Sequence, residues 1–344
     1  MTTTDTAPPS SQPAPAARGR GLLGRVVLVL VGLVLVGLAL AFVFGPREPV
    51  RLTTSFDPAV IGSDSARYLA GEEANVPNLR PQAEKEIVWA YPASRAKTPL
   101  AIVYIHGFSA SKGETRPLAD AVAKELGANL FYTRLAGHGR DAAAMEQAEV
   151  GDWIDDFAEA MAIGRAIGER VVVIGTSNGG TLATIGASRP DLSQGLAALV
   201  EISPNFALRE WRSFILTLPF ARDLLPYLGP ATYGSGNGAN GVWTTNYPSA
   251  ALLPMARLVE VARRIDPATI KTPALFLFSP NDATVDPQGT REVAARWGGP
   301  HEVIEVTDST DPTQHMIAGD IRSPATTAPL ARQISDWIRR TLGS

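Results

Sequence analysis

Residues 171–180 read VVVIGTSNGG, and no other stretch narrows the choice of fold as far. Four β-branched apolar residues form a buried strand, Gly175-Thr176-Ser177-Asn178-Gly179 makes a sharp turn, and a helix-competent segment from Thr181 to Ser188 follows at once. A strand turning directly into a helix brings its own backbone very close together. Gly175 and Gly179 permit that approach, and the turn holds Ser177 in a strained conformation with its hydroxyl exposed. Around this unit the chain alternates strands and helices with no internal repeat. Apolar runs such as LAIVYI at 100–105 suit a sheet covered on both faces. The fold class expected is therefore α/β: a mostly parallel central sheet covered by helices.

Composition excludes several functions. The 344 residues carry a formal net charge of -3 and no basic block with interleaved aromatics, so nucleic acid is not an expected partner. The chain has no cysteine, which removes disulfides, thiolate catalysis and thiolate metal sites. With four histidines, His106, His138, His301 and His315, any mechanism using an imidazole must choose among them.

The N-terminal region divides by composition. Residues 1–17 are dominated by Thr, Pro, Ala and Ser and have nothing to bury, so 1–25 is expected to be a disordered, basic-ended tail. An uncharged apolar run from Val26 to Phe44 follows, giving a transmembrane anchor at 26–45 that has about the 20 residues a bilayer core requires. Arg18, Arg20 and Arg25 precede it, while Arg47 and Glu48 nearly cancel after it. The positive-inside bias then puts the N-terminus in the cytoplasm. In a bacterium the rest would lie on the periplasmic or extracellular side of the inner membrane. A cleaved signal peptide is the competing reading, since Ala39-Leu40-Ala41 resembles a cleavage site, but the apolar core is long for one and runs on through Phe44. Residues 46–83 are polar and irregular and read as a linker, part of it lying along the domain surface.

From 84 to 344 the expected elements are strands at 84–91, 100–105, 129–133, 171–176, 196–202, 274–278 and 302–306. Helices are expected at 115–126, 150–167, 181–188, 287–297 and 330–342. Residues 205–257 break this rhythm with FILTLPF, LLPYLG and YGSGNGANG and with Pro219, Pro226, Pro230 and Pro248. They read as a helical cap inserted above the sheet, whose apolar residues either wall a substrate pocket or pack cap against core.

Parallel sheets bind ligands at the carboxyl ends of their strands, and His106, Ser177, Asp282 and His315 all fall at or beyond such ends. A serine hydroxyl needs a base, and the base needs an orienting group. The chain order serine, acid, histidine assigns Ser177 as nucleophile, His315 as general base and then acid, and Asp282 as the orienting carboxylate. The bland readings are a turn serine at 177 and a capping aspartate at 282, with Asp286 as its nearest substitute. Asp308 and Asp311 lie too close to His315 in sequence to be favoured. His301 follows Gly298-Gly299-Pro300 at the opening of a strand and reads as a surface histidine. Backbone N–H groups of Phe108 and Asn178 are the expected oxyanion donors. His106 and Gly107 would shape the first of these loops.

The motifs HGF, RLAGHG, GTSNGG, SPNDATVDP and QH resemble the α/β-hydrolase superfamily, and within it the serine carboxylesterases and the monoacylglycerol lipase or lysophospholipase-like members. The likeness runs from about Glu84 to the C-terminus. It implies Ser177, Asp282 and His315 as the catalytic set, Phe108 and Asn178 as oxyanion donors, and His138 as a residue shaping the site. It also implies ester hydrolysis through an acyl-enzyme intermediate, with no cofactor and no metal; placement at a membrane and the apolar cap point to apolar acyl esters as the substrates. Two departures stand out: Ser279 opens the lead into the acid where the family often has glycine, and Asn178 follows the serine where Met or Gln is common. The same apparatus serves thioesterases, peptidases and C–C hydrolases. A non-catalytic, membrane-tethered binding protein is the reading from a different class.

Overall fold

The computed structural model describes Thr2, residues 19–234 and residues 238–343. Most of the stretch expected to be disordered, and the centre of the glycine-rich cap segment at 235–237, lie outside the described residues. The chain divides after Pro46 into two units. Among the described residues the first holds one helix, α1 (Gly19–Phe44), whose portion Leu23–Phe44 is long and apolar enough to cross a membrane. Its leucine, valine and phenylalanine side chains are exposed along its length.

The second unit begins at Arg47, and the stretch read as a linker is built into it. Helix α2 (Ser65–Ala74) starts at Asp64, whose carboxylate accepts the N–H groups of Ala66 and Arg67. Ile61 and Leu69 join the main apolar core. Asp155 accepts from the Arg51 guanidinium, Thr54 Oγ1, and both the N–H and the hydroxyl of Ser55. A polar composition concealed this docking, because a few apolar side chains and separate polar pairings with later elements hold a segment that otherwise resembles solvent-facing chain.

The elements that follow are β1 (Glu86–Val88), β2 (Thr98–Ile105), α3 (Leu118–Leu126), β3 (Asn129–Tyr132), α4 (Val150–Ile167), β4 (Gly168–Thr176), α5 (Asn178–Ala187) and β5 (Leu196–Ile202). The inserted region holds α6 (Ala221–Leu228), the two-residue strands β6 (Thr232–Tyr233) and β7 (Tyr247–Pro248) with the short α7 (Gly238–Gly241) between them, and α8 (Leu252–Arg264). The chain closes with β8 (Ala274–Phe278), α9 (Pro287–Ala295), β9 (His301–Glu305) and α10 (Pro324–Leu342). The main sheet runs β1-β3-β2-β4-β5-β8-β9, all parallel except the edge strand β1, which is antiparallel to β3. This is the α/β architecture read from the sequence.

Alternation along the strands sorts the core into two layers. Val103, Ile105, Val171, Val173 and Phe276 face α4, α5 and α8, while Ile102, Tyr104, Val172, Ile174 and Leu277 face α3 and α10. Each fully buried side chain of this size contributes about 1.5–3 kcal/mol. Helix α3 starts three residues later than expected because Thr115, Arg116 and Pro117 form the turn that precedes it.

Candidate active site

Every sequence-predicted site residue lies at the carboxyl end of the parallel strands. Strand β4 runs to Thr176, and Ser177 caps α5 with φ +52° and ψ −115°, a left-handed backbone unusual for a residue bearing a side chain. The turn tolerates nothing larger than glycine at two positions. A β-carbon on Gly175 would stand 2.7 Å from the Gly180 backbone, and one on Gly179 would stand 2.1 Å from the Ile105 carbonyl oxygen. Ser177 is 8% exposed and opens onto a cavity of about 480 Å³.

His315 borders the same cavity, on the loop after β9. Its Nδ1 donates to Asp282 Oδ2 at 2.7 Å, leaving Nε2 as the ring nitrogen free to take a proton. Asp282 follows β8 and is fully buried. Its Oδ1 accepts the N–H groups of Thr284 and Val285 at 2.8 and 3.0 Å. One carboxylate oxygen is thus fixed by backbone, and the other is left for the imidazole. Asp286, the substitute considered above, accepts from Gln288 N–H and caps α9, and Asp308 is exposed. His301 is exposed on the edge strand β9.

Asp311 has a role that sequence separation hid. It is too near His315 to orient the ring, but its Oδ2 accepts the backbone N–H groups of both His315 and Met316 at 3.1 Å. On the other side the Ser203 hydroxyl donates to the His315 carbonyl at 2.7 Å. The imidazole is held by its ring and by its own main chain. The proximity in sequence that argued against Asp311 as the acid is what lets it tie down this loop.

Gly107 and Phe108 follow β2 and line the cavity. A β-carbon on Gly107 would lie 3.2 Å from Ser177 Cβ, so this loop passes directly beside the serine. Asn178 opens α5, where helix geometry leaves its N–H without an intrahelical acceptor. Of the two residues expected to supply backbone donors, Phe108 thus lines the cavity beside Gly107 and Asn178 follows Ser177 directly.

The two other predicted histidines sit behind this loop. His106 Nε2 accepts the Leu135 N–H at 3.0 Å, which requires the proton on Nδ1, and Nδ1 donates to the Gly107 carbonyl at 2.9 Å. Burial, with His138 as a neighbour, holds its pKa well below the ordinary histidine range. His138 Nδ1 meets the Ala136 carbonyl at 2.9 Å, its ring lies edge-on to Phe108 with centroids 5.5 Å apart, and burial lowers its pKa to about 4. Two neutral imidazoles packed behind Phe108 brace the loop. Neither lines the cavity.

The inserted region closes the site from above through Trp243, Thr244, Tyr247, Leu252 and Met255. Tyr247 meets Phe108 edge to face at 5.5 Å. Leu208, Leu252, Met255 and Thr284 also line an adjoining chamber of about 430 Å³, whose remaining wall includes Ile215, Leu216, Leu225 and Leu228. Among the described residues no group of acidic and histidine side chains could hold a metal ion.

The chain matches the family model described as the alpha/beta hydrolase family over residues 102–327. A thermostable monoacylglycerol lipase of Bacillus sp. (strain H-257) is 29% identical over 203 residues, 58% of this chain and 76% of that protein. A structure described for LipS and LipT, two metagenome-derived lipolytic enzymes, is similar with a TM-score of 0.61 at 21% identity, covering 76% of this chain and 99% of that one. A monoacylglycerol lipase of Paleococcus ferrophilus is similar with a TM-score of 0.53 at 18% identity, covering 75% and 98%. At these identities the structural likenesses speak to fold. With a matching family model across the sheet and its connections, the chain belongs to the alpha/beta hydrolase family.

Proposed function

We propose that this α/β hydrolase, a serine-type enzyme acting on esters, cleaves apolar acyl esters through an acyl-enzyme formed on Ser177. The observation that carries this is the His315–Asp282 hydrogen bond at 2.7 Å, with His315 and Ser177 on the wall of one cavity. His315 takes the Ser177 proton as Oγ attacks the carbonyl. Asp282 supports the imidazolium, and the N–H groups of Phe108 and Asn178 receive the developing oxyanion. The alcohol leaves with the proton from His315, and water repeats the sequence to release the acid.

The apolar chamber beside the site supports an acyl chain as the group accommodated there. The relative from Bacillus, a monoacylglycerol lipase, points the same way. The helix Leu23–Phe44 supports an anchor in a bacterial inner membrane. Arg20 and Arg25 at its start favour a cytoplasmic N-terminus, with the hydrolase unit at 47–344 on the periplasmic or extracellular face and residues 205–257 as its cap.

Fluorophosphonate labelling and a p-nitrophenyl ester chain-length series test the chemistry. Ser177→Ala abolishes labelling and turnover. For the unchanged protein kcat/KM rises from acetate through medium chains, each buried methylene adding up to about 0.8 kcal/mol. Labelling that persists in Ser177→Ala would rule out the nucleophile, and a preference for acetate would rule out the apolar chamber as acyl site. Protease shaving of intact spheroplasts tests the topology: the hydrolase unit is degraded from outside if the proposed orientation holds and protected if it is reversed.

A further inference from the structure

Glu114 is a buried carboxyl that the acyl-transfer steps leave without a task. It is 1% exposed and borders the cavity that Ser177 opens onto. Its Oε1 accepts the Gly107 N–H at 2.6 Å and the Tyr104 hydroxyl at 2.9 Å. The Tyr104 oxygen in turn meets Thr115 Oγ1 at 2.7 Å and Thr176 Oγ1 at 2.9 Å. One network thus joins the loop after β2 to the residue preceding Ser177. The second carboxyl oxygen, Oε2, flanks the small space beside Gly107 whose other side is Ser177 Cβ, with a β-carbon on Gly107 falling 3.0 Å from the one and 3.2 Å from the other.

We propose that Glu114 is a positioning residue of the oxyanion loop: by accepting the Gly107 N–H it anchors the peptide that leads into Phe108 and so helps hold the Phe108 N–H towards the ester oxygen. The proposal rests on Ser177 as nucleophile and Phe108 as donor. Glu114 fixes the peptide on one side of Gly107, and His106 Nδ1 and the Ala110 N–H, both on the Gly107 carbonyl, fix the peptide that carries the Phe108 N–H; with both ends of Gly107 held the donor is preorganised, which is what stabilises an oxyanion. The charge state matters because a carboxylate at this distance would oppose the negative charge that develops on the ester oxygen.

Burial raises Glu114 to about 8, despite the hydrogen bonds from Gly107 and Tyr104. The titratable groups around it are few. Tyr104 faces it from β2, and Asp311, His315 and Arg322 share the cavity wall from the loops after β9. On its own loop Lys112 is paired with Glu84 and Glu86, and Arg116 with Glu86 and Asp120. Among the described residues no cation pairs with Glu114. Above about pH 8 the acid ionises, and the loop then presents a negative charge to the reacting oxygen.

Steady-state kinetics of the full chain, Glu114→Ala and Glu114→Gln on a short p-nitrophenyl ester from pH 6 to 10 test this, with the Ser177→Ala rate subtracted. At pH 7 Glu114→Ala lowers kcat by roughly ten- to a hundredfold with KM little changed, and Glu114→Gln recovers most of that loss, since an amide oxygen still accepts both hydrogen bonds. The kcat/KM of the unchanged protein falls above about pH 8, and that of Glu114→Gln does not. An alkaline fall that survives in Glu114→Gln overturns this proposal alone, as does a Glu114→Ala protein with unchanged kcat. Should Glu114→Ala fail to fold by circular dichroism, the alkaline limb of Glu114→Gln decides. Turnover undiminished in Ser177→Ala overturns the nucleophile assignment instead, and this proposal with it.

Discussion

His315 is held at three points, by Asp282 on its ring, by Asp311 on its N–H and by Ser203 on its carbonyl, and each contact has a separate consequence. Asp282→Asn keeps the shape but offers a donor where Nδ1–H needs an acceptor, so the wrong tautomer is favoured. The expected loss in kcat is on the order of 10⁴-fold, read in steady-state kinetics with an unchanged melting temperature. Asp311→Ala acts through position instead. The loop that carries the imidazole loses the carboxylate binding its two N–H groups, and kcat falls by roughly 10²-fold, the cost of a small misplacement of a reacting group. If the Asp311→Ala loss matches that of Asp282→Asn, Asp311 has a larger part than holding the loop. The strained serine and its glycines were legible in the sequence because they are contiguous: a strand, a turn and a helix in ten residues define their own geometry. Asp311 was not legible, because accepting main-chain N–H groups leaves no motif.

At the scale of elements, the segment before β1 is the part that composition misrepresented. Polar residues dominate 47–83, yet Glu73 on α2 pairs with Arg134 at 2.8 Å with both side chains nearly buried, and Tyr68 donates to Glu159 at 2.8 Å. Arg134 stands one residue before Leu135, whose N–H holds His106. Removing one partner of a buried pair leaves an uncompensated charge, so Glu73→Ala is expected to cost about 3 kcal/mol. For a unit of this size that lowers the melting temperature by several degrees in calorimetry, and a shift under 1 °C would place the pair effectively at the surface. The strands β2, β4, β5 and β8 were found to within three residues because each contains a bounded apolar run. The edge strand β1 shortened to Glu86–Val88 from the expected 84–91, since a strand paired on one side is specified by its neighbour as much as by its own residues.

For the whole molecule, three carboxyls raised by burial and three lowered by hydrogen bonds set the response to pH. Burial raises Glu114 to about 8, Asp156 to about 7 despite Lys85 nearby, and Glu201 well above the carboxylate range. A carboxyl whose folded pKa lies above its unfolded value contributes stability that is complete below the unfolded pKa and is lost as pH rises through the folded one. Asp155, Glu86 and Asp141 are lowered, with hydrogen bonds from Arg51 and Ser55, from Lys112 and Arg116, and from Ala144 and Asn78 respectively overcoming desolvation. They contribute the opposite slope, present above about pH 4 and lost on acidification. Maximum stability is therefore expected between about pH 4.5 and 7, with a melting temperature several degrees lower at pH 8.5 than at pH 5.5. Asp156→Asn, which keeps an acceptor for the Ala136 N–H and cannot ionise, flattens that decline. A melting temperature constant from pH 5.5 to 8.5 would contradict the assignment of uncharged buried acids.

Read alone, the sequence determined the α/β alternation, the serine turn, the apolar N-terminal helix and a short set of candidate site residues. These follow from periodicity and from contacts within a few positions along the chain, where local sterics leave little choice. Only the tertiary structure decided that Asp282, rather than Asp286, meets His315, that His106 and His138 brace a loop, and that Glu114 lies beneath it beside Ser177. Those relations join residues tens of positions apart, or a side chain to a main-chain N–H. They are set by the parallel sheet gathering its strand ends, and no local pattern records them.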